Sequence, residues 1–252
     1  MNKILKAVLP FAVIKRLSMA YSVFRTLLES PSAAKAMLWG EGERRHRFRR
    51  LLHPFTYRLT ESDRNVVMQN IVRAECVGGP LPRSAQFIVD GGGYIGDSAA
   101  VFLSLYPEST CLVFEPSGNA ELAEQNLSHY GHRAILRRAM MAREQGAFSI
   151  LEAGTGSRTI PVGDSDKTLE VWTMDDILRQ SPSGVIDILK LDIEGAEYEI
   201  LRPPTPWLAS VKCVVIELHG EAAHRDIPCW LQKAGFSIER HRSLLFCNRP
   251  SS

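Results

Sequence analysis

The chain has few cysteines, and their spacing does not match a disulfide framework or a metal site. Its 252 residues include five cysteines, at positions 76, 111, 213, 229 and 247, and no two of them form a Cys-x-x-Cys pair. An odd number of widely spaced cysteines is typical of reduced thiols rather than of a small disulfide-bonded secreted domain. Cys111 and Cys213 stand inside apolar runs, so we expect both to be core residues.

Long apolar runs are also absent. The apolar stretch near the N-terminus lies between Lys6 and Lys15, spans eight residues and contains Pro10. A membrane-spanning helix needs about 18 or more such residues, so no span is predicted, and no small-x-small cleavage site follows. Residues 1–58 are instead predicted to be a helical, basic extension of the main domain, 59–252. The extension either packs on that domain or lies peripherally on a membrane.

A strong net charge is the third feature that the chain lacks. The formal net charge is +2, which is too small to indicate nucleic-acid binding. Basic residues do cluster in RRHRFRR, 44–50. This run is either a solvated helix face or a surface for anionic lipid or a phosphorylated substrate. We therefore expect a cytoplasmic protein with no nucleic-acid partner, with peripheral membrane contact left open.

The rest of the chain divides into alternating strands and helices. Short apolar runs predict strands at 86–90, 110–116, 134–140, 186–192 and 211–218, with a hairpin at 146–162 and a closing strand pair at 236–248. Periodicity and capping residues predict helices at 97–106, 119–131, 173–180, 194–201 and 224–235, and one that begins at Thr60. This alternation predicts an α/β fold, with a mostly parallel sheet, helices on both faces and one antiparallel strand at the end.

The turn after the first of these strands has glycines in a nucleotide-binding spacing. In FIVDGGGYIGDS, 87–98, residues Gly91, Gly93 and Gly96 follow the G-x-G-x-x-G order directly after Asp90. Ligands of open parallel sheets sit beyond the carboxyl ends of the strands. The spacing therefore predicts a nucleoside cofactor. The alternative is that the glycines only allow close packing of a helix on a strand.

Acidic residues at the predicted strand ends indicate which cofactor this is. Asp90 and Glu115 end the first two strands, and Asp192 and Glu217 end two later ones. Asp90 would repel the phosphates of a dinucleotide, at a cost on the order of several kcal/mol in a partly buried site. S-adenosylmethionine has no phosphate but has a sulfonium, an ammonium group and a ribose diol. Asp90 is predicted to face the ammonium group, directly or through water, and Glu115 is predicted to accept the ribose hydroxyls.

Five motifs in this order resemble the FkbM-type S-adenosylmethionine-dependent methyltransferases: FIVDGGGYIGDS, VFEPSGNAELAEQNL, WTMDDIL, LKLDIEGAEYEIL and VVIELHG. The resemblance runs from about Arg58 to Leu245. It implies a class I methyltransferase fold with a Rossmann-like, seven-stranded sheet whose last strand is reversed. It also implies methyl transfer to a hydroxyl of a sugar, glycolipid or natural product. Many members have Gly-Ala-Asn after the first acid, where this chain has three glycines and then Tyr94, so a side-chain amide is missing from the loop.

The resemblance and the strand-end positions together give a set of residues for the cofactor, S-adenosylmethionine. The set comprises Asp90, Gly91, Gly92, Gly93, Tyr94, Gly96, Glu115, Pro116, Ala139, Met140 and Asp192. The partner is expected to be a small-molecule or carbohydrate acceptor. The oligomeric state is left open.

An alcohol acceptor must lose a proton, so the site needs a base near the methyl group. The candidates are His219, Asp192 and Glu194, of which His219 has the best-suited intrinsic pKa. Glu217 is predicted to orient the imidazole. Alternatively, His219 satisfies a loop carbonyl and Glu194 caps the following helix, whereas Glu197 is expected to be solvated or in a salt bridge.

Three further interpretations of the sequence remain. The acids and His219 could together bind a divalent metal, although we prefer a site with no metal. The protein could also be an NAD(P)-dependent oxidoreductase, against which Asp90 argues, or a non-catalytic binding module on a methyltransferase scaffold. Cofactor-binding calorimetry distinguishes the oxidoreductase from the methyltransferase.

Overall fold

The computed structural model describes residues 21, 24–153, 156–161 and 169–250. The α-helices are α1 Pro31–Trp39, α2 Glu61–Val66, α3 Asp97–Leu105, α4 Ala120–Leu127, α5 Met174–Leu178, α6 Glu197–Leu201 and α7 Glu221–Lys233. The strands are β1 Glu43–His46, β2 Phe55–Arg58, β3 Phe87–Gly91, β4 Thr110–Phe114, β5 Ala134–Arg137, β6 Ala139–Met141, β7 Phe148–Ala153, β8 Gly156–Pro161, β9 Glu170–Trp172, β10 Ile186–Leu191, β11 Val211–Glu217, β12 Ser237–His241 and β13 Leu244–Asn248. The apolar stretch between Lys6 and Lys15 lies outside the described residues.

The central sheet has seven strands in the order β12-β13-β11-β10-β3-β4-β5. Strands β11, β10, β3, β4 and β5 are parallel to one another, and β13 is antiparallel to both β11 and β12. The predicted α/β fold with a reversed last strand is therefore confirmed. The reversed strand lies between β11 and β12 and not at the edge of the sheet.

The two faces of this sheet form two separate cores. Ile88 and Cys111 point to one face, and Phe87 and Leu112 to the other. Both cysteines that were predicted to be core residues, Cys111 and Cys213, are fully buried. Because strands that are covered on both faces are apolar throughout, the sequence showed continuous apolar runs there.

The extension before residue 58 was predicted to be helical. In the structure, β1 and β2 of this segment form an antiparallel pair of strands. Phe48, Phe55 and Tyr57 are almost completely buried in the same core as Ile88. Phe55, Thr56 and Tyr57 are residues that favour strands, which the predicted helix overlooked. The domain boundary after residue 58 stays a prediction.

Other elements follow the sequence closely. Thr60 caps α2 by accepting the Asp63 N–H, and Thr173 forms a capping box with Asp176 at α5. The predicted hairpin is confirmed as β7 and β8. The predicted strand 134–140 is divided at Arg138, because β5 joins the central sheet and β6 pairs with β9. Within the described ranges, no helix is both long and apolar enough to cross a membrane.

Candidate active site

The loop after β3 is packed so closely that two of its residues must be glycine. A Cβ on Gly92, whose φ is +80°, would lie 1.8 Å from the Asp192 carbonyl oxygen. A Cβ on Gly93 would lie 2.3 Å from the Val113 side chain. The N–H groups of both glycines donate to the Phe114 carbonyl, at 3.1 and 2.9 Å. The close packing that was the alternative explanation of these glycines is thus present, and it brings the loop against the ends of β4 and β10.

The crevice is the region beyond the carboxyl ends of the parallel strands, where a ligand is expected. Asp90 lies beneath the glycine loop and is buried away from this crevice. Its carboxylate is fully buried, 3.0 Å from the Lys190 ammonium, and it accepts a hydrogen bond from the Ser98 hydroxyl at 2.6 Å. Lys190 already provides a counter-ion for Asp90, so a contact between Asp90 and the cofactor ammonium, directly or through water, stays a prediction. The electrostatic argument against a dinucleotide is weakened for the same reason.

Lys190 is a site residue that the sequence analysis missed. It is 2% exposed, and its ammonium also lies 3.2 Å from the Gly92 carbonyl and 3.8 Å from an Asp192 carboxylate oxygen. Burial lowers the pKa of Lys190, but the Asp90 and Asp192 carboxylates raise it by more, so the ammonium stays charged. A single lysine in the apolar run ILKL was the signal, because a buried lysine needs an acidic partner.

Glu115 fastens the glycine loop to the end of β4. One carboxylate oxygen accepts the Tyr94 N–H at 2.8 Å, and the other accepts the Ser117 N–H at 2.9 Å and the Ser117 hydroxyl. Burial raises the pKa of Glu115, although the bonds from Ser117 oppose that shift. A carboxylate has about four acceptor positions, so about one remains for a ribose hydroxyl. The ribose role of Glu115 stays a prediction.

Tyr94 connects the same loop to the N-terminal segment. Its hydroxyl donates to Asp63 at 2.9 Å, and Asp63 is fully buried and pairs with two nitrogens of Arg58, each at 2.9 Å. The backbone φ of Tyr94 is +46°, which is unusual for a residue with a side chain. The loop is thus held from two sides, by Glu115 and by Asp63.

His219 is held by a buried carboxylate next to the glycine loop. Its Nδ1 lies 3.1 Å from Glu197, and its Nε2 lies 3.9 Å from both Asp192 and Glu194. The hydrogen bond to Glu197 raises the pKa of His219 to about 9, with support from the charges of Glu197, Asp192 and Glu194 and against the effect of burial. The structure therefore brings together the three predicted base candidates.

Glu197 is the second residue that the sequence analysis missed. It was expected to be solvated or in a salt bridge. The ion pair is present, with His219, but Glu197 is fully buried and also accepts the N–H groups of Ile193 and Gly195, at 2.7 and 2.8 Å. It therefore satisfies the backbone before α6, where Glu194 was the expected cap. It also orients His219, a role predicted for Glu217. Glu194 instead lies exposed, with a φ of +54°.

Asp192, Glu217 and His219 form a group that could hold a divalent cation. Each offers one ligand atom, and these atoms lie within 4.8 Å of one another. Carboxylate oxygens and an imidazole nitrogen are suitable ligands for several divalent metals. Burial, together with the charge of Asp192, raises the pKa of Glu217. The preference for a metal-free site stays a prediction.

The remaining predicted cofactor residues surround the glycine loop. Gly96, with a φ of +84°, precedes α3, and Pro116 is half-buried after Glu115. Ala139 and Met140 are buried in β6. This strand adjoins the loop, because a Cβ on Gly91 would lie 2.7 Å from the Met141 sulfur. Their contacts with a cofactor stay predictions.

Comparison with known proteins agrees with this arrangement. The methyltransferase FkbM domain matches residues 90–238. A hexuronic acid methyltransferase, AglP, of Haloferax volcanii is 23% identical over 154 residues, which make up 60% of this chain and 63% of that protein. This chain thus spans somewhat less than two thirds of the length of that relative.

Two solved structures are also similar to the chain. One is a methyltransferase from Geobacter sulfurreducens, 19% identical, with a TM-score of 0.40, covering 67% of this chain and 73% of that chain. The other is an O-methyltransferase family protein from Burkholderia thailandensis, 15% identical, with a TM-score of 0.45, covering 76% of this chain and 59% of that chain. Since the FkbM domain match extends over more than half of the sequence, the chain belongs to the FkbM methyltransferase family.

Proposed function

We propose that the protein transfers a methyl group from S-adenosylmethionine to a hydroxyl of a small molecule, sugar or glycolipid. The observation that supports this best is the His219–Glu197 pair beside the glycine loop. An imidazole whose Nδ1–H donates to a buried carboxylate has its Nε2 free to accept a proton. Methyl transfer to an alcohol needs such a base, whereas transfer to an already nucleophilic atom does not.

The residues around the crevice suit a cationic nucleoside. Asp192, Glu194 and Glu217 place carboxylates at the ends of β10 and β11, and Glu115 keeps an acceptor position for a hydroxyl. Asp90 contributes indirectly, by neutralising Lys190 below the loop. When bound, S-adenosylmethionine would supply the electrophilic methyl group. The protein then has to align the acceptor with that carbon, which can provide most of the acceleration.

The proton of the acceptor hydroxyl is assigned to His219 Nε2. In the neutral imidazole, Nδ1–H donates to Glu197 and the Nε2 lone pair faces the crevice side of Asp192 and Glu194. After the transfer, the imidazolium is stabilised by these same carboxylates. The raised pKa of His219 means that the base form grows as the pH approaches about 9.

A carbohydrate hydroxyl is the acceptor that we favour. The support comes from the relative that is named as a hexuronic acid methyltransferase. We also expect the protein to act in the cytoplasm, in agreement with five cysteines that are all free thiols.

A titration of the purified chain tests the cofactor. We expect binding of S-adenosylmethionine and of S-adenosylhomocysteine, and no binding of NAD at comparable concentrations. Equal or tighter binding of NAD would favour the oxidoreductase. Binding without methyl transfer to any acceptor in a cell extract with labelled cofactor would favour the non-catalytic module.

A chelator experiment tests the metal-free site. Activity after dialysis against EDTA is expected to equal that of the untreated protein. Activity that is lost on dialysis and restored by a divalent cation would assign Asp192, Glu217 and His219 to a metal.

A further inference from the structure

Two distant segments bring arginine and histidine side chains together on a surface away from the crevice. The Arg45 guanidinium lies 2.8 Å from His129 Nε2, and the rings of His53 and His129 are 5.7 Å apart. Burial lowers the pKa of His53, with smaller contributions from His129, Arg133 and Arg47, so the arginines supply the positive charge of this surface. The Arg133 guanidinium also donates to the carbonyls of Leu103 and Tyr106. In the described part of the chain, none of these five side chains forms an ion pair with a carboxylate.

Large apolar side chains border the same surface. Leu52 and Leu105 are 48% and 51% exposed. The Leu52 N–H donates to the Ser104 hydroxyl, which is 2.9 Å from the hydroxyl of Tyr130. The His53 ring in turn packs edge-on against Tyr130, with ring centroids 4.8 Å apart. The two leucines are thus neighbours of the cations.

Helical residues 24–29 extend the apolar part of this surface. Glu29, the last of these residues, forms an ion pair at 3.2 Å with Arg50, which precedes Leu52 in the sequence. Leu27 and Leu28 are 46% and 49% exposed. Exposed leucines are common singly, but several leucines near the exposed Arg45 and Arg47 side chains mark an interaction surface.

This surface lies at the end of the sheet opposite the crevice. Helix α3 begins beside the glycine loop and ends at Leu105, and residues 128–133 lead into the first residue of β5. Both therefore lie at the amino ends of the parallel strands. The acidic residue of β1, Glu43, is paired in register with Arg58, at the other end of the hairpin.

We propose that the surface formed by Arg45, Arg47, His53, His129, Arg133, Leu52 and Leu105 docks the protein on an anionic lipid bilayer. A bilayer interface uses both parts of it, since anionic headgroups attract the arginines and the acyl boundary accepts the leucines. Nucleic acid would use the positive charges of this surface but not its leucines, because single-stranded nucleic acid is bound by charge and by stacking on aromatic rings. With the bilayer at this end, the crevice faces the aqueous phase.

Vesicle sedimentation of the full chain tests the proposal. The protein is mixed with phosphatidylcholine vesicles that contain about a third phosphatidylglycerol, and with pure phosphatidylcholine vesicles, at about 0.15 M salt. We expect binding to the anionic vesicles only, and a large loss of binding at about 1 M salt. Equal binding to both kinds of vesicle would overturn the electrostatic part of the proposal.

Charge-reversed variants locate the contact. Arg45→Glu with Arg47→Glu is expected to weaken partitioning at least about 25-fold, since each basic residue near such a membrane contributes about fivefold. The matched control is Arg225→Glu with Arg240→Glu, an equal change of charge on exposed positions of α7 and β12. Unchanged binding of the first variant, or an equal loss in both variants, would overturn the proposal.

Two further measurements cover folding and the competing partner. The neutral variant Arg45→Gln with Arg47→Gln, together with Leu52→Ser, repeats the test with milder changes. Its thermal unfolding should match that of the wild type, because all three side chains are exposed. Competition in which RNA removes the protein from anionic vesicles, with tighter binding than the vesicles themselves, would assign the surface to nucleic acid.

Discussion

At the scale of single residues, the chemistry of the crevice depends on how buried carboxylates are used. Glu197 is buried, accepts two backbone N–H groups and bonds to His219. A partly exposed imidazole thereby gains a fixed orientation. Asp192 and Glu194 remain more exposed and act on His219 through charge at 3.9 Å. The difference between a positioning residue and a surface charge is therefore one of burial and hydrogen bonding, not of residue type.

Replacement of His219 tests the base directly. His219→Ala should lower kcat by about 10² to 10⁴-fold on the true acceptor, the usual contribution of a positioned base. Affinity for S-adenosylmethionine should remain close to that of the wild type, since the glycine loop and Glu115 are held by other contacts. Steady-state kinetics with calorimetry checks both. A variant with kcat near the wild-type value would transfer the base role to Asp192 or Glu194, or indicate catalysis by alignment alone.

The pH dependence follows from the raised pKa of His219. Its unprotonated form is the base, so kcat/KM for the cofactor should rise with pH and level off above about 9. Glu197→Gln removes the largest upward influence and should shift this limb to lower pH. A purely structural role of Glu197 would lower activity without moving the limb. Glu199→Gln, an exposed change on the same helix, is the control and should leave the limb in place.

Stability should change with pH in the opposite direction. A histidine whose folded pKa is above its unfolded value stabilises the folded state fully below about 6.5. The contribution of His219 is then lost as the pH rises through about 9. Glu197→Gln should reduce this contribution.

At the scale of elements, the site is assembled from loops that are fastened to one another. Glu115 joins the loop after β3 to the end of β4, and Tyr94 joins it to α2 through Asp63. Glu197 closes the turn between β10 and α6. Each connection uses a side chain to satisfy backbone or buried polar groups that no sheet or helix would satisfy. A substitution in these connections therefore affects the geometry of the loop as well as any contact with a ligand.

Glu115 is the connection with the clearest effect on the cofactor. Glu115→Ala should weaken S-adenosylmethionine binding by roughly 1–3 kcal/mol, the usual range when a buried polar group loses its partner. The Tyr94 and Ser117 N–H groups would lose their acceptor at the same time. Calorimetry on the folded variant measures this change. An unchanged dissociation constant would show that the ribose is held elsewhere.

At the scale of the whole molecule, the buried Lys190–Asp90 pair joins the centre of the sheet to the base of the crevice. The pair lies between β10 and β3, which are adjacent in register at these two residues. Removal of one member of a buried ion pair leaves an unpaired buried charge. The integrity of the central sheet should therefore depend on Lys190.

A pair of lysine substitutions measures this dependence. Lys190→Met is expected to lower the free energy of unfolding by about 3–5 kcal/mol. The control is Lys212→Met, which breaks the pair with Asp187. The Asp187 side chain is 8% exposed, but the Lys212 side chain is 60% exposed and Asp187 keeps its bonds from the Gln86 and Phe87 N–H groups, so the loss should be smaller than for Lys190→Met. Denaturant unfolding of both variants provides the comparison. Similar losses in the two variants would mean that Lys190 is not a buried partner of Asp90 in solution.

The sequence by itself determined the fold class, most elements and the edge of the sheet where the site lies. Apolar strands, capping residues such as Thr173 and the glycines after Asp90 are local signals, so their consequences could be predicted locally. The tertiary structure alone decided which acids face the crevice. Asp90 and Glu197 are hidden because Lys190 and His219 reach them from other strands, and such partners are distant in sequence. It likewise decided that β1 pairs with β2 and that Phe55 and Tyr57 are buried in the core that contains Ile88, because such partners are brought together only by the folded chain.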